Sequence, residues 1–323
     1  MTPSKRQLLA GWKLAAHRDH IDPDSVGIDR ERIPSLLPWL TPGPPNTAWR
    51  CYVSPLHILE TDLPRLFYEL ALTISQFGGF IAHAGDGELV TWKRDGSGIK
   101  AILATLDAIR SDHKLPQIDI TRDLEKELAH FFIRTAFGKE RLDIMLEVGT
   151  PQSLGFFRNL LALARRRDGS YRFNVLHMKG LACRFPLAFG EDPVFHKKAS
   201  LLLMTMEIAL NQLGHVAVAE TLPPADYRIP QILEGLGILR FSPELSDKVA
   251  NGHVFRIEDP HVHTIRAMTV EAVGLIKAAY EERYDRVISC AELDGLLYLL
   301  SRNRELMADA GRKPHILVTT HAF

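Results

Sequence analysis

Cysteine, an excess of one charge and long apolar runs are scarce or missing in this sequence. Its 323 residues include three cysteines, Cys51, Cys183 and Cys290, which lie far apart. They provide neither the spacing of a zinc site nor a disulfide framework, so we expect free thiols in a reducing compartment. Lys+Arg and Asp+Glu are equal at 39 each. Because phosphate contacts usually require a basic excess, this balance favours a small ligand over direct nucleic-acid binding.

Signals for membrane insertion, export and phosphate-loop binding are absent as well. No run of about 18 uncharged apolar residues occurs. Lysine, histidine and arginine interrupt the short apolar run in the opening "MTPSKRQLLAGWKLAAHRDHIDPD". We therefore expect a cytoplasmic protein with no membrane partner. The glycines form neither a dinucleotide-binding fingerprint nor a P-loop, so a doubly wound nucleotide fold is not expected.

The hydrophobic pattern is mainly helical. In "DLPRLFYELALTISQFG" apolar residues recur at helical spacing and stop before Gly78 and Gly79. Alternation in "FIAHAGDGELVTWKRDGSG", with turn residues at Asp86 and Gly87, predicts a small hairpin, and "PHILVTTHAF" predicts a short strand. The spacing predicts helices at about 62–78, 98–112, 121–137, 152–166, 193–213, 229–239, 243–250, 264–281 and 291–308.

These elements predict a mainly α fold with a few short strands. An N-terminal region, 1–190, is expected to be mainly helical and to hold the hairpin. A C-terminal region, 191–323, is expected to be helical and to carry the chemistry. No convincing linker separates the two, so they can also form one compact unit.

The segment "GEDPVFHKKASLLLMTMEIALNQLG" predicts a buried helix with a basic first turn. Asp192 suits the N-cap and Pro193 the first helical position. The helix body is apolar on nearly every side, as in buried helices. Lys197 heads a row of apolar residues, three or four positions apart, that should face inward.

A buried cation at the positive end of a helix dipole costs free energy. His196 and Lys198 crowd the same turn. Either the lysines extend past the first turn to reach solvent, or the three basic groups face an anion or a carboxylate that rewards the arrangement. The sequence leaves both interpretations open.

A second junction, "PPADYRIPQ", places an acid, an aromatic and a base where a proline-marked loop becomes an apolar helix. Asp226 can be the N-cap of that helix, a common role for aspartate. Pro230 fits better as the first helical residue, because one turn further in it would lack an amide proton for the cap carbonyl. That placement leaves Asp226 outside the helix, in the loop with Tyr227 and Arg228.

The run "ADYRIPQILEGLGILRFSPELSDKVANG" resembles the signature region of the queuosine salvage proteins, queuosine 5'-phosphate N-glycosylases related in fold to helix-hairpin-helix DNA glycosylases. Upstream, "FHKKAS" resembles the family's Phe-aromatic-Lys-basic-Ala stretch, and "HTIRAMTVEAVGLI" and "AELDGLLYLL" follow in the family's order. The resemblance covers roughly residues 190–320, and "ADYR-P-Q" is its most specific part. It implies a helical, helix-hairpin-helix DNA-glycosylase-like architecture.

The resemblance also implies that Asp226 is the catalytic carboxylate and that Lys197 is its basic partner. The sequence departs from the family in two places. An aromatic-rich Thr-Asp-Thr-Leu-Asn-Phe stretch is not recognisable in the N-terminal half. The family's acidic residue eight positions after the lysine is Thr205 in this chain, with Glu207 two residues on.

A carboxylate with a nearby cation suits cleavage of an N-glycosidic bond, which builds positive charge on the sugar as the base leaves. A buried carboxylate near the anomeric carbon stabilises that oxocarbenium-like state and can orient or deprotonate water. Lys197 can keep Asp226 ionised, pair with a substrate phosphate or form a Schiff base. Such a reaction needs no metal or organic cofactor, and the expected partner is a small nucleotide, queuosine 5'-monophosphate.

Five further residues are predicted to contact this substrate. Tyr227 can stack on it or pack beside it, and Arg228, Lys198 or His196 can receive a 5'-phosphate. Asp294, in "AELDGLLYLL", can line the pocket. A purely structural role is the alternative for each of the five.

Other motifs favour structural roles. His261 and His263 lie beside Asp259 without a further ligand cluster, which favours a solvated loop at a helix start over a metal site. "HAGDGE" predicts a turn, and Glu271 is a further candidate for the pocket wall. The run Arg165–Arg167 in "LARRRDGS" predicts a solvated helix C-terminus and is the best candidate patch for a polyanion.

We therefore predict an N-glycosidic hydrolase of nucleotide salvage that releases queuine, or a related 7-deazaguanine, from queuosine 5'-monophosphate. A DNA or RNA base glycosylase that uses the same lysine–aspartate pair on a flipped base is the alternative enzyme. A non-catalytic nucleotide-binding protein is the third interpretation, suggested by the divergent N-terminal half.

Overall fold

The computed structural model describes residues 21–22, 24–41, 62–78, 81–83, 89–91, 99–112, 125–132, 135–300, 303, 313–314 and 316–321. The chain forms two compact units. The first unit comprises Met1–Ala48 and Leu222–Val318, and the second comprises Trp49–Thr221 and Thr319–Phe323. This division differs from the expected boundary at residue 190, because residues 191–221 fold with the chain that precedes them.

Helices dominate the described residues, which confirms the prediction of a mainly α-helical protein with a few short strands. The helices are α1 (Ile33–Leu36), α2 (Leu63–Ser75), α3 (Ile99–Asp112), α4 (Glu125–Phe132), α5 (Gly138–Val148), α6 (Pro151–Ala164), α7 (Val175–Arg184), α8 (Lys197–Gln212), α9 (Arg228–Gly235), α10 (Pro243–Ala250), α11 (Pro260–Tyr284) and α12 (Cys290–Leu300). The strands are β1 (Val26–Ile28), β2 (Ile81–His83), β3 (Leu89–Thr91), β4 (Tyr171–Phe173), β5 (Ala217–Ala219), β6 (Leu239–Phe241), β7 (Val254–Arg256) and β8 (Leu317–Thr319).

Packing in the second unit centres on α2. Its start is fixed by Asp62, whose side chain accepts the amide of Arg65, and its residues from Leu66 to Ser75 are all buried. α2 packs against α6 and α8, and the ring of Phe67 lies 5.1 Å from that of Phe157 on α6, between centroids. α8 also packs on β5, which pairs in parallel with β4. The first turn of α8 therefore starts inside a packed core.

In the first unit, α9 packs against α11 and α12. β6 follows α9 and pairs antiparallel with β1, with Val26 opposite Phe241. The long helix α11 begins directly after Asp259, whose carboxylate accepts the amide of His261 at 2.8 Å. α11 and α12 together form the surface on which the N-terminal turn of α9 is held.

Most predicted helices are observed to within a few residues, but two helices were missed. Within the helix predicted at 121–137, the described helix is Glu125–Phe132, and Phe137 adopts a left-handed backbone with φ 57° directly before a new helix, α5. α7 is the other missed helix. The hairpin is confirmed by the pairing of Ile81 with Thr91, whereas its turn at Asp86 and Gly87 lies outside the described residues.

The described residues also test the predictions about membrane-spanning helices and free cysteines. Within them no helix is both long and apolar enough to cross a bilayer. Cys183 is exposed and Cys290 is partly buried, and both are free thiols, as predicted. Cys51 lies outside the described residues.

Candidate active site

Lys197 is the first residue of α8, in the second unit. His196 precedes it with a left-handed backbone at φ 47°, which ends any helix begun upstream. The predicted N-cap role of Asp192, with Pro193 as first helical residue, is therefore wrong. The Asp192 carboxylate instead fixes a turn in front of the helix by accepting the amides of Phe195 at 3.3 Å and Lys197 at 2.9 Å.

Both lysines of this turn are buried. The exposed fraction is 4% for Lys197 and 5% for Lys198, so the interpretation in which the lysines extend to solvent is wrong. The apolar row below Lys197 (Leu201, Met204 and Ile208) is buried as predicted. Two ammonium groups thus enter the interior at the end of a helix whose dipole disfavours them.

The Lys198 ammonium points at the C-terminal end of α2. Its Nζ donates to the Ser75 carbonyl, the last residue of α2, at 2.8 Å. The buried Arg141 guanidinium donates to the carbonyls of Gln76 and, at 2.7 Å, Gly78, and its Nε donates to Ala136 at 2.8 Å. Helix C-termini attract cations, so α2 supplies the negative pole that the start of α8 lacks.

Burial controls the charge of both groups. It lowers the pKa of the Arg141 guanidinium to about 9, so this group keeps its positive charge at neutral pH. Burial is also the main reason why the pKa of Lys198 lies well below its usual range, and the nearby charges of Arg141 and Lys197 lower that pKa further. Asp192 and Glu191 act in the opposite direction on the same pKa.

Thr205 stands where the family has an acidic residue, and Glu207 lies two residues further along α8. Both side chains have structural roles. Thr205 donates its hydroxyl to the Leu201 carbonyl one turn back, at 2.7 Å. Glu207 is buried and accepts the backbone amide of Ala219 on β5 at 2.7 Å. The Glu207 carboxylate thereby satisfies a backbone donor of β5.

Asp226 lies two residues before the first residue of α9, in the first unit, and its carboxylate caps that helix. Its Oδ1 accepts the amides of Arg228 at 2.8 Å and Ile229 at 3.2 Å, and among the described residues both hydrogen bonds to this carboxylate go to Oδ1. The capping alternative therefore holds for the hydrogen bonds of the side chain, while the N-cap position itself is occupied by Tyr227. Placing Pro230 at the first helical position is wrong, because α9 begins at Arg228. Proline is tolerated there because the first amides of a helix have no intrahelical acceptor.

An arginine that sequence reasoning missed holds the loop in front of Asp226. Arg266, on α11, has an exposed fraction of 1% and donates its Nε to the Ala225 carbonyl at 2.9 Å. The signal was present in "HTIRAMTV", where a single arginine interrupts the buried face of a helix. Such a residue needs an acceptor inside the protein. Arg266 thus fixes the backbone next to the carboxylate.

Tyr227 and Arg228 are partly buried beside Asp226. Burial, together with the adjacent Asp226 charge, raises the pKa of the Tyr227 hydroxyl above its usual range, so it stays neutral at working pH. The Arg228 guanidinium lies over the Tyr227 ring, 5.9 Å from its centroid, and donates to the Gln231 side chain at 2.8 Å. One end of Arg228 is therefore already bonded within α9.

The two acidic candidates of the C-terminal helices differ in environment. Asp294 is buried on α12, with an exposed fraction of 8%. One turn later α12 carries Tyr298, which is close enough to Tyr227 to affect its pKa. Glu271 is on α11 and pairs with Arg30 at 3.4 Å, in a partly exposed position. Asp294 is therefore the better placed of the two near the Asp226 segment.

The remaining candidates, the two histidines near Asp259 and the run Arg165–Arg167, lie at the ends of helices. His261 and His263 lie in the first turn of α11, not in a loop, because Asp259 caps that helix. No group of three or more histidine, cysteine or acidic side chains in the described part of the chain is placed to hold a metal ion. Arg165–Arg167 follow α6 and are exposed, as a solvated helix C-terminus predicts. The "HAGDGE" turn lies outside the described residues.

The predicted site residues thus form two groups, one in each unit. His196 and Lys198 flank Lys197 in the second unit. Tyr227 and Arg228 adjoin Asp226 in the first unit, which also contains Asp294. The group in the second unit is centred on a buried lysine, and the group in the first unit is centred on a partly buried carboxylate that caps a helix.

Known proteins resemble the region that holds both groups. The family described as "Queuosine salvage protein" matches residues 137–320, more than half of the chain. A protein of Sphaerobacter thermophilus named "Queuosine 5'-phosphate N-glycosylase/hydrolase" is 32% identical over 112 residues, which is 34% of each chain. A protein of the same name from Dictyostelium discoideum is 32% identical over 74 residues, 23% of each chain.

The chain therefore spans only about a third and a quarter of the length of these two relatives. The family match is broader and includes α8, the Asp226 junction, α11 and α12. On the strength of that match, the chain belongs to the queuosine salvage protein family.

Proposed function

We propose that this protein hydrolyses the N-glycosidic bond of queuosine 5'-phosphate and releases queuine or a related 7-deazaguanine base. The observation that carries the proposal is the family match, which includes the capping carboxylate Asp226 and the buried Lys197. The two relatives named as queuosine 5'-phosphate N-glycosylase/hydrolase add support from their own, shorter alignments. Water is the second substrate, and ribose 5-phosphate is the second product.

Asp226 acts on the sugar in this proposal. As the bond between the anomeric carbon and the base nitrogen breaks, its electron pair leaves with the base and positive charge develops on the ribose. The Asp226 carboxylate stabilises that charge and takes a proton from the attacking water, whose oxygen adds to the anomeric carbon; that proton then passes to the departing base nitrogen, which yields the neutral base and restores the carboxylate. Its Oδ1 is held by two helix amides, so the carboxylate is preorganised.

Lys197 is the proposed basic partner. Its ammonium sets the charge or position of Asp226, or pairs with the substrate phosphate. Tyr227, Arg228, His196 and Asp294 are proposed to contact the substrate, with Tyr227 in its neutral form. Lys198 is the fifth residue predicted to contact the substrate, and its ammonium donates to the Ser75 carbonyl. The mechanism uses no metal or organic cofactor, so activity is expected to survive treatment with EDTA.

The test is turnover by the purified protein. Queuosine 5'-phosphate is incubated with wild type, Asp226→Asn and Lys197→Ala, and free queuine is measured by mass spectrometry. We expect release by wild type and a loss of at least about 10²-fold in kcat for Asp226→Asn. No release by wild type would overturn the assignment. Release from a DNA or RNA duplex, weakened by salt, would instead favour a nucleic-acid glycosylase.

The proposal extends to architecture and location. We propose that the helices around Asp226 adopt a helix-hairpin-helix DNA-glycosylase-like arrangement, which a crystal structure with bound product would test. We also propose a cytoplasmic location, which fractionation of cells that express the full chain would test.

A further inference from the structure

The feature that goes beyond this function is the pair of buried cations at the C-terminal end of α2. Lys198 and Arg141 are exposed by only 5% and 1%. Their donors bond three carbonyls at that end, those of Ser75, Gln76 and Gly78. Ser75 and Gln76 are themselves buried. A substrate phosphate would have to displace or share a hydrogen bond that already satisfies a buried carbonyl.

The bond from Lys198 also fixes the rotation of α8 about its axis. Successive helical residues point about 100° apart, so an anchor at Lys198 determines where Lys197 points. A rotation of about 10° moves a lysine tip, roughly 8 Å from the helix axis, by a little over 1 Å. The carboxylate of Asp192 holds the same turn from the other side, through the amide of Lys197.

We propose that Lys198 is a positioning residue for Lys197 and does not contact the substrate, an inference that rests on the proposed function. Arg141 supports this role of Lys198, because it donates to the carbonyls of Gln76 and Gly78 and so fixes the backbone that follows Ser75. The two lysines in the first turn of α8 then have different roles. Lys198 binds the C-terminal end of α2, and Lys197 takes the proposed catalytic role.

The experiment compares Lys198→Met with wild type on two substrates, queuosine 5'-phosphate and the unphosphorylated nucleoside queuosine. Methionine keeps most of the apolar volume and removes the donors. The positioning role predicts a loss in kcat of about 10- to 100-fold, since a shift of about 1 Å in a reacting group can cost 10²-fold. It also predicts KM within about twofold of wild type, and an unchanged ratio of kcat/KM between the two substrates.

Two other outcomes would overturn the inference. A higher KM for the phosphorylated substrate, with the preference for it over the nucleoside lost, would mean that Lys198 binds phosphate. A lower Tm with unchanged kcat per folded molecule would mean that Lys198 is only structural. Lys139→Met is the matched control, because the Lys139 side chain is 82% exposed in the same unit.

A second variant covers the case in which Lys198→Met does not fold. In Lys198→Gln the side-chain amide can still donate to Ser75 but carries no charge. Positioning predicts that this variant keeps the wild-type ratio of kcat/KM between the two substrates, whereas phosphate binding predicts the loss of that preference. Absence of queuine release by wild type would overturn the proposed function itself, which is distinct from either result on the variants.

Discussion

The double role of Asp226 gives the sharpest prediction about this protein. Its Oδ1 accepts the amides of Arg228 and Ile229, and the same carboxylate is the proposed stabiliser of the oxocarbenium-like state. Asparagine caps helices about as well as aspartate but carries no charge, whereas alanine does neither. The two substitutions therefore separate the structural function of the side chain from the chemical one.

The magnitudes follow from these contacts. Asp226→Ala loses a helix cap, which costs about 0.5–2 kcal/mol in free energy of unfolding. That loss corresponds to a fall in Tm of about 2–4 °C per kcal/mol in a domain of 150–250 residues. Asp226→Asn should cost less than about 0.5 kcal/mol. Both variants should lower kcat by at least about 10²-fold, because both remove the negative charge.

The assay pairs thermal unfolding with queuine release for each variant, beside Asp259→Asn and Asp259→Ala. Asp259 is the matched control, since it caps α11 through the amide of His261 in the same unit. Its alanine variant should lose similar stability and keep full kcat. Wild-type turnover by Asp226→Asn would refute the catalytic role, and wild-type stability of Asp226→Ala would refute the cap.

Three further predictions concern other parts of the chain. Arg141→Met leaves three buried carbonyls without their donor and should cost at least about 3 kcal/mol in chemical denaturation, so a loss below about 1 kcal/mol would contradict its role. Glu207→Ala should cost about 1–3 kcal/mol and speed hydrogen exchange at the Ala219 amide, whereas Glu207→Gln keeps an acceptor and should do neither. Burial first, and then the charge of a nearby arginine, lower the pKa of His177, whose Nδ1 accepts the Asn174 amide. As the pH falls through about 6.5, the unfolded chain therefore binds more protons than the folded chain, and the folded state loses stability. This loss should be smaller in His177→Gln, which thermal melts at neutral and acidic pH can measure.

Local patterns predicted most of the helices and the hairpin. The segment at α2 has apolar residues at helical spacing, and the segment at α8 is apolar on nearly every side, so both predicted helices. The missed helix α5 carries Arg141 on its buried face, and α7 buries only Met178 and Leu181, so neither shows a continuous apolar stripe. Their ends are set by a left-handed Phe137 and by a capping box at Asn174, which depend on neighbouring chain.

Boundaries at the candidate site were less predictable for the same reason. The start of α8 moved from Pro193 to Lys197 because His196 adopts a left-handed backbone, which is uncommon outside glycine even though histidine adopts it more often than most residues. The start of α9 moved ahead of Pro230 because Asp226 offers its carboxylate to two amides at once. In each case a side chain and a backbone geometry decided the boundary together, and neither is visible in periodicity alone.

The sequence by itself determined that this is a mainly helical protein and that "ADYR-P-Q" marks a family junction. Those conclusions depend on local spacing and on residue identity, which the chain carries in one dimension. Tertiary structure alone decided that Lys198 reaches the end of α2 and that Arg266 holds the loop before Asp226, over separations of 123 and 41 residues. Contacts of that kind arise when buried polar groups from distant segments must satisfy one another, and only the folded chain shows which of them meet.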